Sequence, residues 1–510
     1  VATAAVVTTV QAQSQSSSDV AASDLPGNGS SEPYEISNAS ELQAMEDNLS
    51  ANYELVSDID ASNTSGFNGG SGFDPVGEAT SLNSQFNGSF DGNNHTITGL
   101  TIDRPNESNV GLFGRLKGAT LRNVTLANVT VTGNGNVGGL VGGTSFDGSS
   151  QIRNVTVSGT VNATGESAGG IVGVNTAPIA NASASVDVTG DQNVGGLVGI
   201  SDGTDNNPAT VTDASASGNV NGSDAVGGLI GENFGTVTNA TASGNVSGDQ
   251  EVGGLVGINL GTVTDARALG RVDGNDSVGG LVGNNNGIVS IARASGDITT
   301  TKETSVIGGL VGFNVGTITN TSASGDVTGI STTTAGGLVG RNDGGTIRDT
   351  YAIGAVSGGI EGGLVGTNRD NGTVNDSYFD EQETNQIRSA GSAENLTTGQ
   401  MRGSAADNNM DGFAFDTTWQ TQTDPDDYPV LISLQQGTEP DQSESQLPVK
   451  NIDTNNTFST IQAAVDNASD DDTLRMSPGT FGDGESVTIN KTNLTLEGPN
   501  AGTPGGSDDR

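Results

Sequence analysis

Apolar residues come along this chain in short bursts set among small and polar residues, and the bursts repeat. VGLFG at 110–114, VGGLVG at 137–142, AGGIVG at 168–173 and VGGLVG at 194–199 open a series that runs on to EGGLVG at 361–366. The glycine before each Leu or Ile falls at 111, 139, 170, 196, 228, 254, 280, 309, 337 and 363, so the steps lie between 26 and 32 residues. A period of that length is the mark of a solenoid, in which one coil cannot bury a core alone and neighbours supply the missing contacts. The stretch 235–257, GTVTNATASGNVSGDQEVGGLVG, shows the local logic. Ala240, Ala242, Gly244 and Val246 alternate onto one face of an extended chain, and Val237, of the opposite parity, predicts a corner near Thr238 and Asn239. A second strand is expected over 252–257. On it Leu255 and Val256 have opposite parity, which predicts an apolar outer side for a capping segment or another chain. Leu140, Leu197, Leu229, Leu255, Leu281, Leu310, Leu338 and Leu364 are expected to stack from coil to coil as the core. No copy shows the ten or more residues of 3.6 periodicity that a crossover helix needs. The expected class is all-β.

Ahead of the array, Ser40 and Gln43 have capping-box spacing, and Leu42, Met45 and Leu49 follow at helical intervals, which predicts a short capping helix over 40–49. Alternating and apolar runs between FNGG, FDGNN and RPN then predict strands. The Gly-Gly-Leu-Val-Gly words resemble the GLUG motif, and ELQAMEDNLSANYELVSDIDAS with FNGSFDGNNHTITGLTI resembles the segment that precedes it in bacterial and archaeal surface proteins and adhesins. The resemblance covers roughly 34–435 and implies a β-solenoid displayed outside the cell; the motif is structural and names no ligand. The tail NTFSTIQAAVDNASDDDTLRMSPGTFGDGESVTINKTNLTLEGPNAG resembles the start of a right-handed parallel β-helix of the pectin-lyase type, broken off after about 50 residues. The expected organisation is a signal-peptide remnant and linker (1–33), N-terminal cap (34–104), GLUG solenoid (105–375), closing segment (376–437), linker (438–448) and the start of a truncated β-helix (449–510).

Charge changes this picture. The net charge is −42, from 60 acids against 14 Arg and 4 Lys, a field that repels phosphate and excludes nucleic acid as a partner. Acid excess with scarce lysine resembles proteins of salt-loving archaea, where molar salt shortens the screening length to ~3 Å. The chain has no Cys, so neither disulfides nor thiolate metal sites arise. VATAAVVTTVQAQS reads as the end of a signal peptide, with Val10 and Ala12 before the cleavage point. No segment has the ~20 apolar residues of a membrane span. Export and a cell-surface location are expected.

Candidate chemistry is sparse. The one histidine, His95, has no nucleophile and orienting carboxylate grouped around it in sequence, so a structural role is expected. DNNMDGFAF sets Asp407, Asn409 and Asp411 at alternate positions before Gly412, which reads either as the first half of a calcium loop or as an Asx-rich turn; Thr418 stands where the closing Glu belongs. Asn-x-Ser/Thr sequons recur, and Asn38, Asn87 and Asn275 are the glycosylation candidates. No other cofactor is expected. Three functions remain open: a non-enzymatic adhesin presenting a repetitive face to surface glycans, to other surface proteins or to itself; the stalk of a polysaccharide-degrading enzyme; and a purely structural filament or coat element.

Overall fold

The computed structural model describes residues 20–436, apart from 78–83, 146–148, 205–206, 304 and 425, and isolated strands and residues between 449 and 497. Residues 1–434 and 435–510 form separate compact units. The first is an all-β parallel solenoid.

One coil shows the plan. Strands Thr236–Ala242, Val246–Ser247, Gln250–Gly253 and Val256–Asn259 follow one another, and each pairs in parallel with its counterpart one period on: Val237 with Val263, Val246 with Val272, Val252 with Val278, Val256 with Val282. The third and fourth strands build nine- and ten-stranded sheets. The first and second belong to one 23-stranded sheet, because the early strands Thr120–Gly133, Gln151–Ala163 and Ile179–Thr189 run through both positions.

The glycine-rich phrase divides where one strand over 252–257 was expected. The chain turns at Gly254 and Leu255, between two sheets. Leu255 and Val256 therefore both point inward despite their opposite parity, and both are fully buried, so that strand has no apolar outer side. The turn also accounts for the glycines. A Cβ at Gly253 would lie 2.0 Å from the Val256 carbonyl oxygen, and one at Gly254 2.1 Å from that of Gly280 and 3.1 Å from Ala268 Cβ. Leu140, Leu197, Leu229, Leu255, Leu281, Leu310, Leu338 and Leu364 are all fully buried. Their amides continue the ladder at the corner, Leu255 N–H donating to the Leu281 carbonyl at 2.9 Å and Leu281 to Leu310 at 2.8 Å.

At the N-terminal end the helix is Ala39–Gln43, continued as a 3-10 turn over Ala44–Asp47, shorter than 40–49. Its cap is Asn38, not Ser40: Asn38 Oδ1 accepts from the amides of Ser40 and Glu41, and Glu41 reaches back to the Ser37 amide at 2.7 Å. The cap is thus set two residues earlier than the Ser40/Gln43 spacing suggested. Large side chains fill the first coils, where Phe86 packs on Phe113 with centroids 4.9 Å apart and Phe90 on Phe113 at 5.5 Å. Further on the inward columns shrink to alanine, as in Ala214, Ala240, Ala266 and Ala292.

In the second unit, Val449–Asn451, Thr457–Phe458, Thr473–Met476 and Thr495–Glu497 form a four-stranded sheet whose last two strands are parallel. Most of the expected truncated β-helix, the signal remnant over 1–19 and the linker 438–448 lie outside the described residues.

Candidate ligand-binding crease

The long strand of each coil bends at a shared position. In Thr236–Ala242 it is Asn239, with φ +51°, and the register places Asn123, Asn154, Asn181, Asp213, Asp265, Ile291, Asn320, Asp349 and Asp376 at the same spot, all with positive φ. Asn and Asp adopt this left-handed conformation at low cost. The bend resets the alternation: Val237 and Ala240 both face the core, while Asn239 and Thr241 stay outside. The corner expected near Thr238 and Asn239 is this bend, and the strand continues through it.

Down the bend the side chains form a ladder. Asn123 Nδ2 donates to Asp91 Oδ1 (3.0 Å), Asn154 to Asn123 (2.9 Å), Asn181 to Asn154 (3.1 Å) and Asn239 to Asp213 (2.6 Å). Two residues on, a hydroxyl column runs beside it through Thr125, Thr156, Ser183, Ser215 and Thr241, with Ser215 Oγ donating to Ser183 Oγ at 3.0 Å. Between the columns lies an open crease of ≈450 Å³, lined by Asn94, Asn123, Thr125, Asn154, Thr156, Asn181, Ser183, Asp213 and Ser215, with Val155 and Ala182 at its floor. Recurrence of Asn at the bend and Ser or Thr two residues later also explains why sequons recur at Asn123, Asn154 and Asn239.

Lower on the rod the same face is covered by the chain itself. Trp419 Nε1 donates to Asn320 Oδ1 at 3.3 Å, Tyr351 Oη to the Pro429 carbonyl at 2.7 Å, and the Gly412 amide to Tyr378 Oη at 3.3 Å. Here the hydroxyl column becomes Ser322, Tyr351 and Tyr378, all buried. Trp419 stacks on Phe413 at 4.6 Å, and Ile291, the one apolar bend residue, packs against this cluster. The cover is latched by the fully buried Asp380, which accepts from Tyr428 Oη at 2.6 Å and from Thr398 Oγ1 at 3.0 Å, while Arg402 lies 4.5 Å over the Tyr428 ring. Burial, then the Asp380 carboxylate, raise the Tyr428 phenol well above its ordinary value.

A second asparagine ladder, inside the core, was not anticipated from sequence. Asn233, Asn259, Asn285, Asn314 and Asn342 are fully buried, and each Nδ2 donates to the next Oδ1 at 2.7–2.9 Å, ending on Asn368. Its signal is an Asn two residues after the last Gly of each phrase, as in VGIN and VGFN.

The other candidates scatter. Asp407 and Asn409 sit in the short helix Ala406–Asn409, and Asn409 is engaged by the Ala405 carbonyl and Gln400. Among the described residues no three His, Cys, Asp or Glu side chains gather to hold an ion. His95 Nδ1 lies 3.2 Å from Asp58, on the surface. Asn38 is spent on its helix cap, Asn275 donates to Asp249 at 2.6 Å, and Asn87 is exposed. The most perturbed carboxyl is Glu251, pushed up to about 7 by burial and then by Asp224 and Asp276; burial, with Asp202 and Asp224, also raises Glu232.

Comparison with known proteins fits the repeat. The GLUG motif matches residues 190–221, 222–247 and 303–328. The repeats are GLUG repeats. The family described as the M26 IgA1-specific metallo-endopeptidase N-terminal region matches residues 34–159, which include the first coils. Halomucin of Haloquadratum walsbyi is 44% identical over 172 residues, 32% of this chain and 2% of halomucin; the chain thus spans a small fraction of that relative. A crystal structure described as a candidate immunoglobulin A1 protease from Bacteroides ovatus aligns over 81% of this chain and 95% of its own, with 17% identity and a TM-score of 0.32. No described helix is long and apolar enough to cross a membrane.

Proposed function

We propose that the chain is an exported cell-surface protein of a salt-loving organism and that it holds extended surface glycans along the open crease without turning them over. The observation that carries this reading is the crease itself: a bend residue (Asn123, Asn154, Asn181, Asp213) and a hydroxyl two residues on (Thr125, Thr156, Ser183, Ser215) recur once per coil, at a rise of ~4.8 Å. Repetition turns weak contacts into avidity for a repetitive polymer. Likeness to halomucin of Haloquadratum walsbyi supports the surface location, as do the sequons. Glycosylation at Asn38, Asn87 and Asn275 and calcium at Asp407, Asn409 and Asp411 belong to the same proposal, as does self-association of rods.

The test uses the full chain. Thr156→Trp and Ser183→Trp fill the crease from outward positions, so retention on immobilised glycans should fall at least about tenfold while melting stays within a few degrees of the parent. Undiminished retention would remove the crease from the binding function, and release of sugar fragments would make the protein a hydrolase.

A second reading, in which the solenoid is the N-terminal spacer of a longer secreted enzyme, is favoured by the match of residues 34–159 to a metallo-endopeptidase N-terminal region. A longer gene product with an HExxH zinc motif or a continued β-helix bearing Asp and Arg clusters would select it.

A further inference from the structure

The corner that leads from the fourth strand of one coil to the first strand of the next carries an apolar ridge. Seven large apolar side chains are exposed among the described residues, and four of them, Phe234, Leu260, Ile288 and Val315, stand at this corner in four successive coils, each 43–46% exposed. The backbone holds the corners in line: the amides of Leu260, Asn286 and Val315 donate to the carbonyls of Asn233, Asn259 and Asn285. Where the corner residue itself is Asn286, an exposed apolar side chain returns two residues on as Ile288, so none of the four coils lacks one.

Beside the ridge, just beyond the glycine-rich phrases, the register sets Glu232, Ile258, Asn284, Phe313 and Arg341 in one column, all partly exposed. The column runs acid, apolar, amide, apolar, base. Turned end for end about Asn284, it exchanges the two apolar residues and sets base against acid. A patch that complements its own reverse is what a two-fold contact between identical chains requires. The ridge obeys the same operation, with Leu260 and Val315 changing places about the level of Ile288. Asp343 engages Nε and Nη2 of Arg341, and Phe313 lies 5.3 Å from its guanidinium, which leaves Nη1 to donate elsewhere. Glu232, crowded by Asp202 and Asp224, has no ion pair among the described residues.

We propose that this face joins two copies of the chain side by side and antiparallel, about a two-fold axis that crosses the rods at the level of Asn284. Leu260 of one copy packs on Val315 of the other, Ile288 on its own counterpart, and Glu232 pairs with Arg341 at both ends of a contact about 19 Å long. This gives the self-association included above a surface that shares no residue with the crease, and it rests on that reading of the chain as a surface rod. The ridge exposes roughly 300 Å² of apolar surface per copy, at the lower end of patches that mark interaction sites and well under the roughly 800 Å² per partner of a stable dimer. The contact is therefore weak and reversible. It also needs salt. Glu251 accepts from Asn284, with Asp224 and Asp276 near it, so these acids approach their own copies at the axis. At about 0.1 M salt their repulsion reaches ~10 Å, while in molar salt it ends within ~3 Å and leaves the apolar contact and the end pairs to decide.

The test is sedimentation of the full chain over a range of concentrations, in molar KCl and in about 0.1 M KCl, with retention on immobilised glycans measured alongside. The parent should show a reversible monomer–dimer equilibrium in molar KCl and stay monomeric in the dilute salt. Leu260→Asn/Val315→Asn should weaken dimerisation at least about tenfold and melt within a few degrees of the parent, since both side chains are already half exposed. Glu232→Arg and Arg341→Glu should each weaken it, because like charges then face each other at both ends. An equimolar mixture of these two variants should dimerise as the parent does, since every introduced charge meets its opposite, and that rescue also shows that both variants fold. In a parallel pair each variant alone would dimerise like the parent, and that result overturns the proposal. So do an undiminished ridge variant, a mixture without rescue, and growth into open assemblies of rods. A parent that stays monomeric in molar KCl leaves the ridge to a partner of different sequence and likewise overturns it; glycan retention by that monomer keeps the crease reading. Dimerisation without glycan retention supports this contact and removes the crease reading instead.

Discussion

Asn285 shows how one side chain can be both a core residue and a polar link. It is fully buried, accepts from Asn259 Nδ2 and donates to Asn314 Oδ1, each at 2.8 Å, so burial is offset by two hydrogen bonds along the rod. Asn285→Leu should orphan both neighbours and cost about 1–3 kcal/mol, measurable by denaturant unfolding. Serine should be better tolerated: Ser201, in register with Asn233, already stands in this ladder with its hydroxyl unpaired. Glu251 carries the pH dependence. Its carboxyl is raised from 4.5 to about 7 by burial and by Asp224 and Asp276, with Asn284 acting the other way. The folded state therefore binds the proton more tightly than the unfolded state. This contribution to stability is fully present below about pH 4.5 and is lost as pH rises through about 7. Glu232, also raised, acts with the same sign. Melting temperature should thus fall between pH 5 and 8, and Glu251→Gln should flatten that slope; a variant whose slope matches the parent would locate the titration elsewhere.

At the scale of elements, the closing segment is held by contacts far apart in sequence. Trp419 reaches Asn320, 99 residues away, and is fully buried between Tyr351 and Phe413. Trp419→Ala should cost about 3–5 kcal/mol of local stability. Amide exchange should accelerate in 413–431 while the coils up to Ala294 keep their protection; loss of protection throughout would mean that the segment and solenoid unfold as one. Why some of this was legible in the sequence follows from range. The period, the buried leucines and the bend at Asn239 were readable, because alternation and its interruption are set by neighbours along the chain. The turn inside VGGLVG escaped, since parity counting assumes a continuous strand and Gly254 and Leu255 break it. The hydroxyl and amide groups of the crease were visible as outward residues, but the crease needs register between coils to become a groove. Coverage of its lower half by Phe413 and Trp419 had no local signal beyond Tyr351 and Tyr378 standing in an otherwise Thr-, Ser- and Arg-bearing column.

For the whole molecule, charge sets the terms on which all these contacts operate. The chain carries −42, and the described ion pairs are few and mostly at the surface, so they cannot neutralise it. Acids of successive coils come near one another, as with Asp249 and Asp273 around one surface depression, and a rise of ~4.8 Å brings such groups within one another's field. At about 0.1 M salt the screening length is ~10 Å, two coils, and repulsion adds along the rod; in molar salt it shrinks to ~3 Å, less than one coil, and the sum collapses to contacts. The leucine core and the inner asparagine ladder are dry and respond little to screening. Melting temperature should therefore rise steeply from about 0.1 M to about 1 M KCl and then level off, because once the screening length is below the coil spacing further salt has little left to remove. Equal melting at the two salts would mean that the acids are solvated independently and that the acidic surface is no adaptation to brine. A rise that continued unabated in sulfate but not in chloride would trace the effect to strengthened apolar burial instead.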